Sequence, residues 1–90
     1  MVVMILERVT PGLRGELTRW MLEPKAGVFV GRVSALVRDR LWELACKRMR
    51  DGAGMLIYTS DSEQGYDIRF WGATSRLVVD IEGLALIKIP

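Results

Sequence analysis

Short apolar runs alternate along the chain with two longer segments of helical period, and this order predicts most of the architecture. Val2 to Leu6 is unbroken apolar sequence rich in β-branched residues, which reads as a central strand covered on both faces. Glu7 and Arg8 mark its carboxyl end. Thr10-Pro11 opens a helix, with threonine as cap and proline at the first helical position, where a missing N–H costs nothing. Leu13, Leu17, Trp20 and Met21 then form one apolar stripe that runs until Pro24, with Arg14 and Arg19 off it.

Residues 27–31 form a short strand bracketed by glycines, and Ser34 caps a second helix over about 35–51 that stops at Gly52. Val37, Leu41, Leu44, Ala45 and Met49 face inward, while Arg38, Arg40, Lys47 and Arg50 lie on the outer face. Glu43 and Lys47 have the spacing of a supporting pair. Residues 55–60 predict a strand, 61–65 a hairpin loop and 66–71 the return strand. In that return strand Tyr66, Ile68 and Phe70 point one way and Asp67, Arg69 and Trp71 the other. After Gly72, a loop with Ser75-Arg76 leads through Leu77-Val78-Val79 to a last apolar strand over 84–89. The order predicts an α+β ferredoxin-like sandwich, an antiparallel sheet with two helices on one face. The last strand is surplus to the minimal sheet and is expected to reach another chain.

Ninety residues, half of them hydrophobic, make one domain over 1–90. A chain this short buries about 60 to 65% of its unfolded surface, so a homodimer is expected to hide part of the rest. Composition excludes much chemistry. With no histidine, the usual general base and the imidazole ligands of zinc are missing. Cys46 is the single cysteine, which leaves no internal disulfide and suits a reducing compartment. No apolar run reaches the ~18 residues of a spanning helix, and no basic region precedes the apolar start, so the expectation is a cytoplasmic protein without membrane contact. Net charge is +2, but residues 1–50 carry ten Lys/Arg and five Asp/Glu, whereas 51–90 carry three and six. The basic first half is suited to phosphates.

More specific signals sit in the residues themselves. Leu13-Arg14-Gly15-Glu16-Leu17, Trp20-Met21-Leu22-Glu23 and Ala26-Gly27-Val28-Phe29-Val30-Gly31 belong to one long pattern with Val33-Ser34-Ala35, Arg38, Leu41-Trp42-Glu43 and Phe70-Trp71-Gly72. From Val2 to about Ile89 this pattern resembles the small adaptation protein of subtype I-E CRISPR systems, Cas-two, partner of the CRISPR integrase. The resemblance implies a ferredoxin-like homodimer that bridges two integrase dimers and lies along the captured duplex DNA, the protospacer, while the integrase performs strand transfer. It also implies an alternative, a Mg²⁺-dependent endonuclease acting on RNA or DNA.

By that resemblance, Glu7 matches the acidic position at the end of the first strand. Paired with its dimer mate, it would be both the catalytic carboxylate and the ligand of magnesium. Glu63 matches a further acidic position, in a hairpin loop. Arg14 and Arg76 match basic positions that meet the DNA backbone. Gly12, Leu36 and Ser75 stand where the pattern has basic residues, and Arg38 and Arg40, with Arg32 before them, are expected to supply that charge. Residues 83–90 resemble the C-terminal strand that reaches the integrase, with Leu84, Leu86, Ile87 and Ile89 as its apolar contacts. Sequence-independent backbone contact is the expected mode. A sheet that stacks RNA bases is disfavoured, because Tyr66, Phe70 and Trp71 divide between both faces of one strand.

Overall fold

The computed structural model describes residues 1–49 and 51–72. Its elements run β1 (Val2–Leu6), α1 (Pro11–Thr18), β2 (Leu22–Lys25), β3 (Val28–Gly31), α2 (Ala35–Met49), β4 (Gly54–Thr59) and β5 (Tyr66–Trp71). The strands form one antiparallel sheet in the order β2-β3-β1-β4-β5. This is the expected α+β ferredoxin-like plan, with β5 added beside β4.

Local chemistry sets the helix starts where the sequence placed them. The Thr10 hydroxyl accepts the Leu13 N–H at 3.2 Å, with Pro11 in the first turn. Ser34 does the same for the Val37 N–H at 3.2 Å. The stop after α2 is a turn in which the Gly52 N–H donates to Met49 O at 2.8 Å.

The first helix is shorter than its apolar stripe. It ends at Thr18, and the Trp20 and Met21 N–H groups both donate to Leu17 O as the chain turns away. Leu22 and Glu23, expected to finish that helix before Pro24, belong instead to the edge strand β2. Pro24 belongs to this strand rather than terminating a helix, because an edge strand tolerates a residue with no N–H to give. Trp20, carried beyond the helix end, is 52% exposed instead of joining the core. Met21 does stay buried.

Pleating divides the sheet into two unlike faces. Val2, Met4 and Leu6 of β1 point to the helices, where they pack with Leu13 and Leu17 of α1, Phe29, Leu56, Met21, and Leu41, Trp42, Ala45 and Met49 of α2. Both helices therefore cover the same face. Trp42, which lies outside the predicted inward stripe, is buried here as well. Cys46 borders this core, and burial raises its thiol pKa, as expected of a packing residue.

On the opposite face, register aligns two rows across the sheet. Leu22, Val30, Val3, Ile57 and Ile68 make one; Lys25, Val28, Ile5, Met55 and Phe70 make the other, apolar but for the lysine at the β2 edge. Among the described residues no helix packs there. The described contacts of that face join Ala53 and Met55 with Ile5, Ile57 and Ile68. The expectation that β1 is covered on both faces thus holds for the helical side, while Val3 and Ile5 remain partly exposed.

Phe29 is fully buried at the centre of the helical side. Replacing it with alanine is expected to destabilise the fold by ~3 to 5 kcal/mol, a large share of a small domain's stability. Urea denaturation monitored by circular dichroism measures this.

Candidate nucleic-acid interface

The carboxyl end of β1 is held by backbone on both sides. The Leu6 N–H donates to Gly27 O and the Glu7 N–H to Ala53 O, each at 2.8 Å. Close approach is possible because the neighbours are glycines. A Cβ on Gly27 (φ 82°) would lie 2.5 Å from Leu6 O, and one on Gly52 would lie 2.8 Å from Glu7 O. Arg8 then leaves the strand with φ 58°, a left-handed conformation uncommon for arginine. Glu7 therefore projects from a fixed point of the sheet, half-buried, as its place at the end of β1 predicted.

A magnesium site needs several oxygen ligands. Among the described residues no group of three or more His, Cys, Asp or Glu can hold a metal ion. Glu7 therefore does not belong to a metal-holding cluster formed by one chain's described residues. Glu63 lies exposed in the loop between β4 and β5.

Arg14 stands on α1 with its charge already engaged. Its Nε donates to both carboxylate oxygens of Glu23, at 2.9 and 3.1 Å. Glu23 also accepts the Gly27 N–H at 2.9 Å, so one carboxylate ties α1 to the β2–β3 turn. That backbone bond is the main cause, with the Arg14 guanidinium behind it, that holds the Glu23 carboxyl below its ordinary pKa. The Arg14 side chain is still 41% exposed, which leaves its outer edge open to a phosphate.

The two arginines expected on α2 separate. Arg40 is exposed, and lines a shallow depression with Glu43, Leu44 and Lys47. Glu43 and Lys47 border the same depression without forming an ion pair. Arg38 is drawn inward, its side chain 15% exposed. Its guanidinium lies 3.9 Å over the Tyr58 ring, and its Nε donates to Asp39 Oδ1 at 2.9 Å. Arg69 of β5 reaches the same oxygen with Nη1 at 3.0 Å. The Arg38 hydrogen bond is the leading cause, with the charges of Arg38 and Arg69, that keeps the Asp39 carboxyl below its ordinary pKa. In the sequence Arg69 stands on one side of a strand alternation, without a role. Its signal was that alternation itself, which sends it to the helical side near the first turn of α2.

Arg32 is exposed just before α2. Arg76, Leu84, Leu86, Ile87 and Ile89 lie outside the described residues, as does the expected strand over 84–89. Phe70 and Trp71 are exposed on opposite faces of β5, the division that argued against base stacking.

Fold and surfaces together define the class: a ferredoxin-like domain with an apolar sheet face on one side and cationic side chains on the helical side. Within that class, residues 1–86 match the family model described as CRISPR-associated protein (Cas_Cas2CT1978), and the chain belongs to that family. Among the described residues no helix is long and apolar enough to cross a membrane.

Both lowered carboxyls add stability that is present above the unfolded carboxylate range and is lost as pH falls through their lower folded values. The melting temperature is therefore expected to drop on acidification below about pH 4. Glu23→Gln should flatten that drop, which calorimetry across acid buffers would measure.

Proposed function

We propose that this chain is the structural, DNA-binding subunit of the spacer-acquisition complex in a subtype I-E system, working as a homodimer in the cytoplasm with residues 1–90 as one domain. The observation that carries this reading is the division of the sheet between two surfaces in a member of a CRISPR-associated family. The rows through Val3 and Ile5 are apolar from β3 to β5, and among the described residues no helix lies over them. A second copy is the partner that would cover them symmetrically.

With the apolar faces together, the helices of both protomers point outward and carry Arg14 and Arg40 with them. Such a dimer presents cations along its outer surface, suited to the phosphates at the middle of a captured duplex. Backbone contact fits a complex that archives arbitrary sequence, since phosphates position a protein without reading bases. Arg76 is a further contact in this reading. Leu84, Leu86, Ile87 and Ile89 dock the integrase, which performs the strand transfer while this dimer sets the distance between two integrase dimers.

A second reading, a metal-dependent endonuclease that uses Glu7 of both protomers, draws support from the rigid setting of that residue. Its neighbours Gly27 and Gly52 fix the end of β1, and Arg8 adopts a left-handed conformation beside it. Metal binding would then depend on the dimer.

Ile57 lies in the row that crosses the middle strands of the apolar face. Ile57→Glu is expected to turn the dimer into a folded monomer, with sedimentation velocity as the measurement; a wild-type protein that sediments as a monomer at all concentrations overturns the dimer. In cells, charge reversal of Arg14 together with Arg76 should abolish spacer acquisition and leave the dimer intact, and undiminished acquisition would sink the DNA-contact assignment. In the same assay Glu7→Ala should retain acquisition, whereas its loss favours the endonuclease.

A further inference from the structure

The helical side of the sheet joins an arginine of the family pattern and basic first half, Arg38, to one that belongs to neither, Arg69. Arg38 comes from the first turn of α2 and Arg69 from β5, thirty-one residues later in the chain. Folding brings them to one atom. Arg38 Nε and Arg69 Nη1 both donate to Asp39 Oδ1, at 2.9 and 3.0 Å. Tyr58 lies beneath, with its ring centroid 3.9 Å from Arg38 Cζ and 5.1 Å from Arg69 Cζ.

Two guanidiniums share one carboxylate oxygen, so the group keeps a positive charge after its internal pairing. Each guanidinium also carries several N–H donors in a rigid fork, and one of each is committed to Asp39. Asp67 lies in register beside Tyr58 on β5, but makes no ion pair with either arginine. The aromatic ring and the shared oxygen fix both guanidinium planes before any ligand arrives, which removes part of the ordering cost of binding. Exposure completes the picture. Arg69 is 39% and Asp39 46% exposed, so an incoming oxyanion can approach the fork and compete with a well-solvated carboxylate.

We propose that Arg38 and Arg69, set by Tyr58 and Asp39, form a binding site for a backbone phosphate of duplex DNA. The proposal rests on the DNA-binding reading above and extends it from the loose surface arginines to a preorganised cluster. Arg69 is cross-strand to Leu56, and Tyr58 to Val2, which places both on the helical side. Association through the opposite sheet face leaves the site open. Asp39 acts in it as an internal competitor that holds the fork in shape and yields to a phosphate.

Wild type, Arg69→Gln and Asp39→Asn are to be compared by fluorescence anisotropy with a mixed-sequence DNA duplex across a salt series, with melting temperatures recorded for each. Arg69→Gln should weaken binding and lower the log–log salt slope by roughly 0.9, the loss of one phosphate contact. Asp39→Asn should tighten binding, because it removes the competing charge and keeps the shape. A mere clamp between α2 and β5 predicts the opposite sign, with Asp39→Asn weakening binding as it lowers the melting temperature, and that outcome overturns the site. So does a folded Arg69→Gln with wild-type affinity and slope; if this variant does not fold, the sign of the Asp39→Asn effect decides. Inorganic phosphate, followed through the arginine Nε–H resonances, separates this proposal from the broader reading. Phosphate-induced shifts of Arg38 and Arg69 without duplex binding leave a free-phosphate site and overturn its assignment to duplex DNA together with the DNA-binding function. Duplex binding without those shifts overturns the site alone, and a protein that binds neither overturns both.

Discussion

β1 occupies the middle of the sheet, and its side chains can face only two ways. Val2, Met4 and Leu6 are committed to the two helices, so Val3 and Ile5 must face the other side, and the neighbouring strands follow in register. A shift of one residue would exchange the two sets. The helix core and the apolar band are therefore not independent features. Because β1 is apolar at every position from Val2 to Leu6, each face is supplied with a hydrophobic centre, and α1 and α2 use up one of the two.

Charge is distributed by the same geometry. Arg14 sits on α1, Arg40 on α2 and Arg69 on the helical side of β5, so cations gather on the side away from the apolar band. Several are already paired: Arg14 with Glu23, and Arg38 and Arg69 with Asp39. Exposed pairs of this kind contribute only ~0 to 1 kcal/mol to stability, too little to explain them as the glue of the fold. What they supply is orientation. A guanidinium held by a carboxylate has fewer rotamers left to lose when it meets a phosphate.

Much of this was legible in the sequence. Caps at Thr10 and Ser34, the turn at Gly52 and the alternation from Tyr66 to Trp71 all act through neighbours in the chain, and each lies where local pattern placed it. Residues 22–25 were not legible as a strand, because the stripe from Leu13 continued in helical spacing through Met21 and Pro24 then read as a helix breaker. Tertiary pairing with β3 decided that segment, and local periodicity does not record such pairing. The candidate site divides in the same way. Glu7, Arg14 and Arg40 stand where their elements predicted. The partners of Arg14 and Arg38 were hidden, since Glu23 reaches Arg14 from another element and Tyr58 and Arg69 reach Arg38 across the sheet. Contacts between distant parts of the chain leave no periodic trace.

Pro24 has one more effect, on how this protein shares a crowded cell with its own copies. An outer strand with a full row of N–H donors invites further strands to add on, the route by which sheets grow into fibres. β2 lacks one donor at Pro24, is four residues long, and changes register between Leu22 and Lys25. That border of the sheet is a poor template for further growth. The sheet thus carries, at this margin, a built-in brake on edge-to-edge growth.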